Sequence, residues 1–269
     1  MQSGPISARG VTAFEPAEPP ARTEQLKFPV SEIFNSRQGE GKLTGVPSHF
    51  IRLAGCNLRC WFCDTPYASW NPQSESYSLD DLVQGAIDST LQHVVLTGGE
   101  PLMFRGIERL TEKIRRVGLH LTIETAGTLA PNVVADLMSL SPKRFGSQPT
   151  IEKVEQVPHL QEIPLPTIER WQTLHESRRW KPQAIQKLIA DSFDSQVKFV
   201  VDNHAEAADV EQAVSELQLA ADQVWIMPQG VTAEGLEEHA RWIRPWCEAL
   251  GFHFCDRQQI HWYGNRPGT

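Results

Sequence analysis

The chain has 269 residues, 40% of them hydrophobic and 22% charged, with a formal net charge of −8 at pH 7. That length suits one large α/β domain with a buried core. The acidic balance argues against a nucleic-acid surface, no apolar run reaches the ~18 residues of a membrane helix, and "MQSGPISARG" contains no apolar signal region.

Residues 1–26 are rich in proline and charge and lack apolar periodicity, so they read as a disordered extension ahead of a domain over 27–269. From Phe28 the chain alternates. "HFIRLAG" (49–55) predicts a strand. A helix follows over 78–89, with Ser78 as N-cap and Asp81 three residues on. Residues 93–99 predict a strand running into glycines. Residues 103–118 predict a helix whose apolar face is Phe104, Ile107, Leu110, Ile114 and Val117, ended by Gly118. A strand is expected over 120–127, then a helix over 131–140 leading into a short strand before Ser141. Within residues 144–180 the stretch "QVPHLQEIPLPTIERWQ" carries three prolines and mixed polarity, and the segment predicts an irregular insertion or a lid. Strand, helix, strand, helix and a last strand then follow over 196–202, 204–219, 223–230, 233–251 and 252–260.

Repeated βα units imply a parallel sheet with helices outside it. Six or seven strands are too few for a closed barrel of eight, so the expected fold class is α/β, a partial (open) TIM-like barrel. Sites in such folds lie on the loops after the strands. "GCNLRC", "TGGEP", "ETAG", "SPK" and "MPQG" all fall there, so five loops point to one mouth.

Five cysteines, an odd number with three bunched in "GCNLRCWFCDT", speak against a disulfide framework and for a reducing, cytoplasmic setting. Cys56, Cys60 and Cys63 are one thiolate short of a closed structural metal site. On a 4Fe–4S cube, three thiolates leave one iron open to a non-protein ligand. The competing readings are a structural Cys3His zinc site with His49, or a loop without metal.

The C-x3-C-x2-C spacing resembles that of the radical S-adenosylmethionine (SAM) superfamily. The longer block "EIFNSRQGEGKLTGVPSHFIRLAGCNLRCWFCDT" (32–65), with the later loops in order, resembles the 7-carboxy-7-deazaguanine synthase family within it. The likeness runs from about Glu32 to the C-terminus. The extension and residues 144–180 depart from shorter family members.

The resemblance implies a radical SAM core, a 4Fe–4S cluster, SAM and Mg²⁺, in the biosynthesis of queuosine and other deazapurines. The implied reaction converts 6-carboxy-5,6,7,8-tetrahydropterin to 7-carboxy-7-deazaguanine with loss of ammonia, through a 5′-deoxyadenosyl radical. It also implies a homodimer and an electron donor such as flavodoxin or ferredoxin. Cys56, Cys60 and Cys63 become cluster ligands, and Thr65 supplies an oxygen to Mg²⁺. Phe62, Gly99, Glu100, Ser141, Pro142, Lys143 and Gln229 are expected around SAM. Arg37, Gln38, Gly39, Glu40, Arg52 and Thr97 are expected around the pterin. There a glutamine or glutamate pairs with the pyrimidinone edge, and Arg52 grips a carboxylate with two bonds. Glu124, Thr125, Arg257 and His261 are weaker candidates, and Asp64 reads equally as a helix N-cap. Cys247 and Cys255 read as buried free thiols, and Trp242 with Trp246 as core or dimer contacts. The alternatives are another radical SAM enzyme such as a glycyl-radical activase, against which "SRQGEG" argues, or a non-catalytic metal-binding module.

Overall fold

The computed structural model describes residues 26–269, so the predicted extension lies almost wholly outside the described residues. In chain order the elements are β1 (Lys27–Arg37), β2 (Pro47–Leu53), α1 (Pro66–Ser69), β3 (Glu75–Ser78), α2 (Leu79–Asp88), β4 (His93–Gly98), α3 (Ile107–Arg116), β5 (His120–Thr125) and β6 (Leu137–Leu140). They continue as α4 (Ile151–Glu155), α5 (Leu165–Arg179), α6 (Pro182–Ala190), β7 (Ser195–Val201), α7 (Ala207–Leu217), β8 (Val224–Pro228), α8 (Ala233–Leu250), β9 (His253–Phe254) and α9 (Gln258–Tyr263).

One nine-stranded sheet runs in the order β3-β1-β2-β4-β5-β6-β7-β8-β9 and does not close. From β2 onward every pairing is parallel, which gives the expected partial barrel. β1 pairs antiparallel with both β2 and β3 and extends the open edge. Sequence patterning missed β1 and β3. The far half of β1 alternates only between half-buried and exposed positions, so it shows no hydrophobic stripe.

Strand residues alternate across the sheet. Ile51, Leu53, Leu96, Ile123, Leu140, Val197, Phe199, Val201 and Ile226 face the helices in the core. Their neighbours Phe50, Arg52, Thr97, Glu124, Ser139, Lys198, Val200 and Met227 line the barrel interior. The register sets Arg52 beside Thr97, Glu124 beside Ser139, and Val200 beside Met227. Helix α2 begins as predicted: the Ser78 hydroxyl accepts from the Asp81 amide, and the Asp81 carboxylate accepts from the Ser78 amide.

Three expectations need correction. No helix forms over 131–140. Val133 and Ala135 are buried while Val134 is exposed, an extended alternation that carries the chain directly into β6. The Asp136 carboxylate accepts from the Leu121 amide and pairs with Arg115, which ties this crossing to β5 and α3. Residues 144–180 are not irregular: they hold α4 and α5, joined by short turns. Pro158 and Pro164 stand at the starts of helical turns, where a missing N–H costs nothing, so these prolines do not signal irregular chain. The last strand is only His253–Phe254, and α9 takes over the end of the predicted segment.

Cys247 and Cys255 are buried and free, as expected. Trp242 and Trp246 stack with ring centres 5.9 Å apart and pack on the core.

Candidate active site

The loops at the C-terminal ends of the strands enclose a cavity of about 250 Å³. It brings together Arg37, Gln38, Gly39, Glu40, Arg52, Phe62, Thr65, Thr97, Gly99, Ser141, Lys143, Gln229 and all three clustered cysteines. Of the predicted site residues, Glu100 and Pro142 do not line it.

The thiol wall is built on the loop after β2. Cys56, Cys60 and Cys63 sit with Leu58, Phe62 and Ala126 in a small apolar cluster of their own. Burial pushes the Cys56 thiol up to about 12 and also raises Cys60 and Cys63. The Leu58 amide donates to Cys56 Sγ at 3.3 Å, and Ser69 Oγ lies 3.0 Å from Cys63 Sγ.

Glycines let the next loop reach this one. A Cβ on Gly99 would fall 2.2 Å from the Gly55 carbonyl oxygen, and one on Gly98 2.3 Å from that of Leu53. The Glu100 amide donates to Gly55 O at 2.9 Å. The double glycine therefore serves the backbone of the cysteine loop as much as any ligand. Glu100 is fully buried and its carboxylate is spent on the protein. It accepts from the amides of Leu102 and Ala126 and from the Thr125 hydroxyl, so it ties the β4 loop to the β5 loop. Burial raises its pKa, and these hydrogen bonds oppose the rise.

The opposite wall is charged. Glu40 accepts from Lys198 Nζ at 2.8 Å, from Gln259 Nε2 at 2.8 Å and from Arg257 Nε at 3.4 Å. Burial alone would raise its pKa, but Lys198 and Arg257 outweigh burial and hold it below the carboxylate range. Lys198 also reaches Glu124 at 3.5 Å, and Arg257 pairs with Asp64 and donates to the Gly230 carbonyl. Burial would lower the Lys198 pKa; Glu40 and Glu124 raise it. Lys198 was not foreseen, although a lysine between Val197 and Phe199 in an apolar strand was a readable signal. Asp64 is not a cap, because Thr65 holds the N-cap position of α1 and Asp64 is engaged with Arg257. His261 does not line the cavity; it contacts Asp256.

Arg52 lines the cavity, but its Nε donates to Glu32 at 2.6 Å. Tyr67 donates to the same carboxylate oxygen at 2.7 Å. Glu32 thus fixes the guanidinium plane and leaves the terminal nitrogens without a side-chain or backbone acceptor among the described residues. Gln38 donates to Ser48 Oγ at 2.9 Å, Arg37 lies over the Trp262 ring, and Lys143 donates to Ser141 Oγ at 2.7 Å. The Thr65 hydroxyl makes no cap hydrogen bond and stands 3.8 Å from Cys63 Sγ.

A partial barrel with a three-thiol loop at its mouth defines a radical SAM protein, and the Radical SAM superfamily model matches residues 50–151. The chain is 46% identical to the 7-carboxy-7-deazaguanine synthase of Rhodopirellula baltica over 249 residues, 93% of this chain and 91% of that protein. It is 35% identical to the enzyme of that name from Halobacterium salinarum, over 90% of this chain and 93% of the relative. The crystal structure of QueE from Escherichia coli has the same fold, with a TM-score of 0.58 at 21% identity, covering 86% of this chain and 94% of that one. The chain belongs to the 7-carboxy-7-deazaguanine synthase family, and is an enzyme of the radical SAM superfamily.

The superfamily implies a 4Fe–4S cluster and SAM, and the residues fit them. All three thiols open onto one cavity, yet among the described residues no three Cys, His, Asp or Glu side chains converge so as to hold a single ion. That arrangement suits a cluster, where each thiolate takes its own iron, better than mononuclear zinc. No helix of the described residues is long and apolar enough to cross a membrane.

Proposed function

We propose that the chain contracts the ring of 6-carboxy-5,6,7,8-tetrahydropterin to 7-carboxy-7-deazaguanine with loss of ammonia, as a carbon–nitrogen lyase. The observation that carries this reading is the cavity at the strand ends, with a three-thiol wall on one side and a compensated charged wall on the other. The names of the relatives support it.

Bound there, a reduced 4Fe–4S cluster and SAM supply one-electron chemistry able to activate an unreactive C–H bond. Cys56, Cys60 and Cys63 hold the cluster. Phe62, the Gly99 backbone, the loop Ser141–Pro142–Lys143 and Gln229 surround SAM, with Pro142 shaping the loop rather than touching the ligand. The free edge of Arg52 takes the pterin carboxylate end-on, in the plane that Glu32 fixes. Thr97 lies beside it in register. The "QGE" turn, Gln38 to Glu40, with Arg37 at its edge, faces the pyrimidinone side. The thiol wall excludes water and the charged wall orients the substrate, so the ring is placed before reaction begins.

The Thr65 hydroxyl, which makes no cap hydrogen bond, would give Mg²⁺ one hard oxygen, with substrate and water supplying the others. A low-potential donor such as flavodoxin or ferredoxin supplies the electron, and the working unit is a homodimer in the cytoplasm.

The test is an anaerobic assay of reconstituted protein with SAM, a reductant and the carboxytetrahydropterin. The expected result is 7-carboxy-7-deazaguanine and ammonia in equal amounts. Cleavage of SAM without consumption of the pterin overturns the substrate assignment. A radical installed on a supplied polypeptide favours the activase reading.

A further inference from the structure

The segment between Cys56 and Cys60 has no helix or strand of its own, yet its outward-facing groups are tied to residues 144–180. The Arg59 amide donates to His175 Nδ1 at 3.1 Å. Arg178 Nη1 donates to the Asn57 carbonyl at 3.2 Å. The Arg59 guanidinium lies 4.0 Å from the centre of the Trp171 ring and donates to the carbonyls of Cys56 and Leu58 at 2.7 Å. Trp61 Nε1 donates to the Gly146 carbonyl at 2.8 Å. The thiols at 56, 60 and 63 face the cavity, while residues 57, 59 and 61 are held from behind.

His175 is the centre of this attachment. It is fully buried on α5. Because Nδ1 accepts from Arg59, its proton sits on Nε2 and is donated to Ser147 Oγ, 2.9 Å away. Ser147 Oγ donates in turn to the Arg144 carbonyl at 2.6 Å. Both ring nitrogens are satisfied, one of them by the cysteine loop. Apolar packing of Val154, Leu160 and Ile168 with Trp70 anchors the segment separately, so folding alone does not call for the polar chain to the loop.

We propose that residues 144–179 form a strap that pins the outer face of the cysteine loop, with His175 as its positioning residue. The strap holds the spacing of the three thiols and covers the loop from solvent. This rests on the reading that Cys56, Cys60 and Cys63 hold a cluster.

Deuterium uptake at residues 57–61 of the full chain tests it, together with the lifetime of cluster absorbance in air. His175→Ala is expected to speed uptake there about tenfold, the scale of one lost hydrogen bond, and to shorten the cluster lifetime several-fold. His175→Asn keeps an acceptor near the place of Nδ1 and stays within about twofold of wild type. Unchanged uptake in His175→Ala overturns the proposal, and so does equal acceleration in His175→Asn. If His175→Ala does not fold, Arg178→Ala decides by the same readout: faster uptake at 57–61 at an unchanged unfolding midpoint supports the strap, and unchanged uptake sinks it. Absence of iron and sulfide from every protein, wild type included, defeats the cluster reading. The uptake comparison on the metal-free chain then still decides whether the strap pins the loop.

Discussion

Around Cys60 the cavity wall is apolar, with Leu58 and Ala126 packed against the thiols. Across the mouth, Glu40 is met by Lys198, Arg257 and Gln259, and the positive groups reach on to Glu124 and Asp64. Burial acts on both walls. On the thiol wall it wins: Arg59 opposes it at Cys56 and Lys143 at Cys60, yet Cys56 is still pushed up to about 12, so most of the charge that would ionise the thiols comes from what binds them. On the charged wall partners outweigh burial, and Glu40 stays ionised. One wall is completed by what binds to it; the other is complete before anything binds.

Breaking the thiol wall has the largest effect. Replacing Cys56, Cys60 or Cys63 with alanine is expected to abolish both iron retention and turnover, whereas Cys247→Ala and Cys255→Ala keep most of each. Iron content and an anaerobic rate measure this, and a fully active Cys60→Ala protein contradicts the assignment. On the charged wall the cost falls on stability. Lys198→Met leaves Glu40 buried with one cation fewer and is expected to lose about 3 kcal/mol in urea unfolding. Adding Glu40→Gln recovers a large part, because the uncompensated charge is gone; a double variant no better than the single one shows that packing is the cause.

Behind the thiol wall, burial lowers the His175 pKa from 6.5 to about 4, with Arg179 adding to the shift and Glu176 opposing it. The unfolded chain therefore binds the extra proton first as pH falls. The stability from neutral His175 is complete above pH 6.5 and drains between 6.5 and about 4, by about 3 kcal/mol in all. His175→Asn should flatten that slope, and unfolding curves across this window would show it.

Two smaller effects separate the ligands. Arg52→Lys replaces a planar fork with a point charge and is expected to weaken pterin binding by about 2 kcal/mol, with SAM affinity unchanged. Loss of SAM affinity instead reverses the assignment of the two halves. Thr65→Ala removes one weak oxygen ligand and is expected to raise the Mg²⁺ needed for half activation about fivefold, with a normal cluster. Identical metal titrations in wild type and variant remove Thr65 from the site.

The sequence by itself determined the βα alternation, the open barrel and the loops that carry the chemistry. Those features are local: apolar period, a capping box at Ser78, glycines after strands, and cysteines eight residues or fewer apart. Cys56 was found from the cysteine spacing, and Arg52, Thr97 and Gln229 from the family resemblance; all four stand at strand ends that open onto the cavity. Only the tertiary structure decided what each polar group does there. Glu100 turned out to be a bridge between loops and not a ligand contact, because its partners Thr125 and Ala126 come from a different strand end. The partners of Glu32, Lys198, Arg257 and Gln259 are set by pairings across long stretches of chain, and no spacing in the sequence encodes those pairings. Residues 131–136 and 144–180 misled for the same reason. A short apolar run reads alike as helix or extended chain, and proline reads as loop even where it begins a helix; the choice fell to the surfaces of β5 and of the cysteine loop against which these segments pack.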